Sequence, residues 1–202
     1  MSREITNTDN PYLRIVREIL TSPIDCFDYY LNGTGITRFH LFFLHILLWV
    51  YAFLMKSSQN LILLKSQEGF LGLDKPEKWN EGVLASVLVY PVFLVLVYLL
   101  DLVRRYYQET ILSSVTYRSD LPYLSFLPMS ATSIFQIFPK PINYIFLTIG
   151  ILYSFKVYYL SLRNLANYEK KDFLQMLLYF GILIFSLSFI GLLGLTIYRS
   201  YQ

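Results

Sequence analysis

Apolar residues along this chain are gathered into blocks that are separated by short polar segments. A helix needs about 20 predominantly apolar residues to cross the hydrocarbon core of a bilayer. Blocks of this order predict an all-α integral membrane protein with a bundle of five transmembrane helices. The predicted spans are residues 36–55, 82–100, 121–138, 142–162 and 173–198.

The third of these blocks has the weakest signal. Pro122 and Pro128 interrupt it, and it carries serine, threonine and glutamine side chains. Proline removes a backbone donor and breaks helices, although buried neighbours can satisfy the freed groups in a membrane protein. Two interpretations therefore stay open for residues 121–138, a full crossing and a re-entrant hairpin.

Residues 1–35 show short helical periodicity instead of a spanning block. A capping residue precedes Pro11 and another precedes Pro23, which is a typical helix start in each case. We expect two short amphipathic helices that lie on the membrane surface or pack on the transmembrane bundle. Their predicted apolar side comprises Leu13, Val16, Leu20 and Phe27.

Positive charge indicates the orientation of the membrane domain, residues 36–202. With five spans and a cytoplasmic N-terminus, the inner segments hold ten Lys and Arg residues and the outer segments hold six. A re-entrant third block would change this to nine against seven. Because cytoplasmic loops carry the excess of Lys and Arg, the five-span arrangement is favoured. The prediction is a multi-pass protein of the inner cell membrane with its N-terminus in the cytoplasm and its C-terminus outside.

Composition supports this class and excludes others. Hydrophobic residues make up 55% of the chain and charged residues only 15%, whereas soluble domains are about a quarter charged. The net charge of +3 is spread over the chain without a Lys/Arg block, so no nucleic-acid partner is expected. One cysteine, Cys26, excludes an internal disulfide and is expected to be a small buried hydrophobe.

Catalytic and metal-binding signals were sought and none emerges. The two histidines, His40 and His45, are five residues apart, which separates them by about 140° on a helix. Two ligands on one helix face need a spacing of three or four. No nucleophile motif and no phosphate-binding glycine loop occurs. We therefore expect no enzyme activity, metal or cofactor.

Lys156 is the one charged residue expected near the middle of a span, and it lies in the fourth. An intramembrane charge is costly and is usually paired or functional. Asp120 and Asp101 end neighbouring spans at the same predicted surface, and Arg163 follows on the same helix. These four residues form a candidate polar cluster, with Asp120 as the preferred partner of Lys156. The alternative is that Lys156 extends its long side chain to the headgroups.

Small residues recur in the fifth span. Small side chains let transmembrane helices approach closely, so they predict a packing face. The residues concerned are Gly181, Ser186, Ser188, Gly191 and Gly194.

Three short motifs resemble the bacterial Yip1-domain family of membrane proteins. They are the Ser22-Pro23 helix start, the segment TILSSVTYRSDLP at residues 110–122, and the segment SLRNL at residues 161–165. The resemblance implies five spans, an inward N-terminus and no established chemistry. The signature that links the eukaryotic branch to small GTPases, Asp-Leu-Tyr-Gly-Pro, is absent from this sequence, so GTPase binding is not implied.

The expected function is that of a non-enzymatic membrane component that assembles with itself or with other membrane proteins and organises the membrane, in contact with the lipid bilayer. The alternative is a small transporter or channel-like subunit that uses the proline-broken third block and Lys156. A polar cavity beside residues 121–138 would favour transport. A solid bundle with an exposed apolar face would favour assembly.

Overall fold

A computed structural model describes residues 10–31, 36–66, 84–112, 120–138 and 140–200. Within these ranges the chain is helical and contains no strand. The α-helices are α1 (Pro11–Thr21), α2 (Pro23–Leu31), α3 (Arg38–Ser66), α4 (Leu84–Tyr107), α5 (Leu121–Ser125), α6 (Leu127–Ala131), α7 (Lys140–Ala166) and α8 (Lys170–Ser200). A π-helical turn, Gln108–Leu112, continues α4, and a 3-10 turn, Thr132–Ile137, continues α6.

Three of the helices contain a stretch that is long and apolar enough to cross a membrane. The stretches are Arg38–Ser58 in α3, Ile142–Ala166 in α7 and Lys170–Leu193 in α8. This supports a membrane protein. At the end of α7, Asn167 takes a left-handed conformation with φ of 52°, which asparagine tolerates better than most residues, and the chain turns into α8.

The helix at the predicted second span, α4, continues past the predicted end, and within the described residues it is not one of the three with a stretch long and apolar enough to cross a membrane. α4 ends at Tyr107 instead of Leu100, and it includes the buried Asp101 and Arg104. Pro91 lies inside this helix without ending it. Asp101 and Arg104, which were predicted to follow this span, therefore belong to the helix itself.

The predicted third span is not one continuous helix. Residues 121–137 form three consecutive short pieces, α5, α6 and the 3-10 turn, which we call the central segment. Pro122 and Pro128 each lie in the first two positions of a short helix, where a missing N–H costs least. Residues 121–131 are all buried by the surrounding helices. The prolines thus divide the chain into pieces that the rest of the bundle encloses.

The central segment runs antiparallel to α7 and parallel to α3. Near its start, the Ser125 hydroxyl lies 3.4 Å from that of Ser161, and near its end the amide of Asn143 donates to Gln136. On the side that faces α3, the guanidinium of Arg38, the first residue of α3, lies 5.6 Å from the centre of the Tyr123 ring near the start of the central segment. The central segment and α3 therefore point the same way, and α7 points the opposite way.

The helical hairpin of α1 and α2 packs on the central segment and on α7. Both helices begin where the prolines predict them. The buried side differs from the prediction, because Ile15 and Ile19 are fully buried whereas Leu13 is 70% exposed and Leu20 is 43% exposed. Folding α2 back onto α1 selects this face, since the buried Cys26 contacts the carbonyl of Ile15. Of the other residues on the predicted apolar side, Phe27 is buried and Val16 is half-buried.

Candidate functional site

Buried hydrogen bonds tie the central segment to α3. The Nε2 of His45 lies 2.9 Å from the carbonyl oxygen of Tyr123, so this nitrogen carries the proton and donates. The Nδ1 of His45 then accepts from the Ser130 hydroxyl at 2.6 Å, and Ser130 accepts from the Trp49 indole at 3.2 Å. Each of these groups has a partner. The prolines and the helix break expose the Tyr123 carbonyl, and His45 satisfies it.

Further hydrogen bonds join the central segment to α7 and α4. The backbone N–H of Met129 donates to the Ser154 hydroxyl at 3.1 Å. The Gln136 amide donates to the Tyr90 hydroxyl at 3.0 Å and accepts from Asn143 at 3.1 Å. Irregular backbone at membrane depth is tolerated only where protein or water satisfies it. The polar groups of the central segment therefore stabilise a broken helix by hydrogen bonds to α3, α4 and α7.

Ser130 and His45 have the spacing of a nucleophile and its base, but their surroundings argue against that chemistry. Both side chains are fully buried. The Trp49 N–H already donates to the Ser130 oxygen, and the His45 Nε2 is held by a backbone carbonyl. A substrate carbonyl has no approach to the hydroxyl in this arrangement. The pair is a structural contact.

Asp101 takes part in a buried ion pair with Arg104, one turn later on α4. Its Oδ1 lies 2.7 Å from Nη2 and 3.0 Å from Nε of a guanidinium that is fully buried. Nearby, the Tyr107 hydroxyl lies 2.8 Å from Oε1 of Gln175 and 3.3 Å from Oδ1 of Asp172. These contacts join the end of α4 to the beginning of α8.

The four residues of the predicted polar cluster do not come together. Lys156 and Arg163 are exposed, Asp120 is half-buried at the start of α5, and Asp101 is buried beside Arg104. Within the described part of the chain, no ion pair joins Lys156 to Asp120. Helix geometry explains the separation, because Ser154, whose hydroxyl accepts from the Met129 N–H, faces the central segment. Lys156 follows it by two residues and points about 200° away.

Lys156 faces a cavity between α7 and the turn that joins α1 to α2. Its volume is about 450 Å³. The Lys156 Nζ lies 6.0 Å from the centre of the Tyr153 ring, which also lines the cavity. Polar groups from the hairpin form the opposite wall. The complete lining is Thr21, Ser22, Pro23, Ile24, Asp25, Tyr153, Lys156, Val157 and Leu160.

Two of the small residues of α8, Gly181 and Gly191, lie in open space. A Cβ added at Gly181 or Gly191 would have no atom within 4 Å. Only 6% of the apolar stretch of α8 is buried, against 39% for that of α7. Among the described side chains, α8 buries Phe173 and Met176 near its beginning, and Leu177 and Phe180 pack against the same cluster.

Sequence reasoning missed the residues that hold the central segment. His45 was weighed only as a metal ligand, and its actual partners lie 78 and 85 residues further along the chain. His40 instead contacts Thr37, so the two histidines have different hydrogen-bond partners. No local pattern distinguishes a histidine that satisfies a broken helix from one that binds a metal.

Comparisons with protein-family models, with curated proteins and with solved structures found no match for this chain.

Proposed function

We propose that this protein is a non-enzymatic, multi-pass membrane component of Yip1-like type that assembles through α8 with further copies of itself or with other membrane proteins. The observation that carries the proposal is the exposed outer part of α8, where Gly181 and Gly191 meet no other side chain. Transmembrane helices associate by close packing of small residues, because lipid supplies no hydrophobic drive between them. Ser188 lies on the same side of the helix.

The proposal includes five crossings with a cytoplasmic N-terminus in the inner cell membrane. Support comes from the opposite directions of the central segment and α7, which follow one another along the chain, and from the ten inner against six outer Lys and Arg residues. An impermeant thiol reagent applied to intact cells should label a cysteine placed at Arg199 and leave one at Lys170 unlabelled. The reverse pattern would overturn the orientation.

The buried central segment favours assembly over the transport alternative. A substrate path along a broken helix needs polar groups that face a cavity. Ser125, Ser130 and Ser133 are instead fully buried, and each bonds to a neighbouring helix. The cavity beside Lys156 is lined on α7 by Tyr153, Lys156, Val157 and Leu160, and none of these serines is among its lining residues.

Assembly through α8 is tested by the mass of the complex extracted from its own membrane in mild detergent. Gly191→Leu and Gly181→Leu should each lower that mass, because a large side chain prevents close approach while the open surroundings leave the fold intact. Ser186→Leu is the matched control, since residue 186 lies about 140° around the same helix. An unchanged mass in both glycine variants would contradict assembly at this face, whether with copies or with partners.

A further inference from the structure

The exposed face of α7 changes from apolar to cationic at Lys156. Ile145, Ile149 and Leu152 are 58%, 55% and 65% exposed, respectively. Lys156 and Arg163 follow at spacings of four and seven, so all five side chains lie within about 60° around the helix. The apolar part extends about 10 Å along the axis at 1.5 Å per residue. A row of this kind matches the acyl region and then the headgroup region of one phospholipid.

The cavity beside Lys156 supplies the headgroup pocket. The α1–α2 turn closes it opposite α7, and Thr21, Ser22 and Asp25 line that wall. The hairpin is held against α7 by a bond from the Tyr153 hydroxyl to the carbonyl of Leu20 at 3.0 Å. The pocket therefore lies between two packed elements, at the level where the apolar face of α7 ends.

The charges in this pocket fit a headgroup that carries both signs. Lys156 and Asp25 line the same cavity, yet within the described residues they form no ion pair with each other. A phosphate between them would meet the lysine ammonium, and a primary ammonium on the same headgroup would meet the carboxylate. A purely anionic headgroup would satisfy only Lys156.

We propose that this cavity binds one zwitterionic phospholipid of the phosphatidylethanolamine class, with its phosphate at Lys156, its ammonium at Asp25 and an acyl chain along Ile145, Ile149 and Leu152. The site requires that the protein lies in a membrane, but it does not require assembly through α8.

The test is a titration of the delipidated protein in mild detergent with phosphatidylethanolamine, in which native mass spectrometry counts bound lipids. Lys156→Met should weaken binding of the first lipid by about tenfold, the loss of one charge-assisted hydrogen bond. Lys170→Met is the matched control, because it removes an exposed cation outside the cavity and should leave the affinity unchanged. Lys156→Arg should retain binding.

Two further arms define the ligand. Asp25→Asn should abolish the preference for phosphatidylethanolamine over phosphatidylglycerol while phosphate binding at Lys156 persists. Soluble glycerophosphoethanolamine should not displace the lipid at equal concentration, because it lacks acyl chains. Equal affinities of the Lys156→Met and Lys170→Met variants would overturn the site, and displacement by the soluble headgroup would overturn its assignment to a lipid. The same spectra give the protein mass, so a failure of α8 assembly is seen separately.

Discussion

Gly150 of α7 packs directly against Thr132 of the central segment. A Cβ at Gly150 would overlap the Thr132 Cγ2 and lie 3.2 Å from the Cα of Met129. Backbone therefore approaches backbone where α7 crosses the join between α6 and the 3-10 turn. This is a position at which the absence of a side chain sets the distance between two elements.

Gly150→Ala should destabilise the protein by about 1 to 3 kcal/mol, the usual cost of overpacking. Adding Thr132→Ser to that variant should recover part of the loss, because it removes the overlapping methyl group and keeps the hydroxyl that donates to Met129. Thermal unfolding in detergent measures both effects. Ser186→Ala, at an exposed position of α8 outside the proposed assembly face, is the control and should change the Tm little. Equal Tm values for the two alanine variants would contradict the close approach.

His45→Phe should destabilise the protein because the buried Tyr123 carbonyl loses its donor. An unsatisfied buried group costs about 1 to 3 kcal/mol. Ser130→Ala should cost less in the His45→Phe background than in the wild type, since the two side chains bond to each other. His40→Phe, on the more exposed start of α3, serves as the control for ring size. Strictly additive losses in the double variant would show that the contact between residues 45 and 130 contributes nothing.

Asp101→Asn should be among the most damaging single changes at a charged position. It leaves the guanidinium of Arg104 buried beside a neutral amide, and breaking a buried pair costs about 3 to 5 kcal/mol. Glu169→Gln breaks the exposed pair with Lys171, whose side chains are 69% and 75% exposed, and should have little effect. The free energy of unfolding in denaturant distinguishes the two. Similar free energies of unfolding for the Asp101→Asn and Glu169→Gln variants would contradict a stabilising role for the buried ion pair.

Cys26 should resist thiol reagents in the folded protein. The pKa of its thiol is raised from 9.0 to about 12, mainly by burial and to a smaller extent by the Glu18 carboxylate, while Arg14 opposes the shift. Maleimide at pH 8 should therefore react only after unfolding. The folded state keeps a proton that the unfolded chain loses above pH 9, so stability contributed by Cys26 falls as pH rises from about 9 to 12. Cys26→Ala should show a shallower loss of Tm over that range, and an identical slope would contradict the burial.

Local signals in the sequence located most helix starts, whereas α3 and α4 continue to Ser66 and Tyr107, past the predicted ends at residues 55 and 100. The prolines at positions 11 and 23 start α1 and α2, and the apolar blocks correspond to α3, α4, α7 and α8. Proline and hydrophobic length act over a few residues, so they can be recognised in one sequence. The face that α1 buries depended on how α2 folds back, and periodicity alone chose Leu13 over Ile15.

The chemistry of the interior was harder to predict because it depends on contacts between distant parts of the chain. Asp101 was expected near Lys156, but its partner Arg104 is only three residues away and lies inside a helix that extends past the predicted boundary. Lys156 and Ser154 are neighbours in sequence and face opposite sides of α7. A charge position is visible in the sequence, whereas the side of the helix that meets the core is set by packing.

We infer that the proline-broken central segment is a closed core rather than a path for a substrate. The most direct measurement is the reaction rate of single cysteines at Ser125 and Ser133, in a Cys26→Ser background, with a small water-soluble thiol reagent in reconstituted membranes. Both positions are fully buried, whereas Ser22 is exposed at the hairpin turn. The account predicts rapid reaction at residue 22 and none at residues 125 and 133 until detergent unfolds the protein. Reaction at residues 125 and 133 as fast as at residue 22 would contradict it.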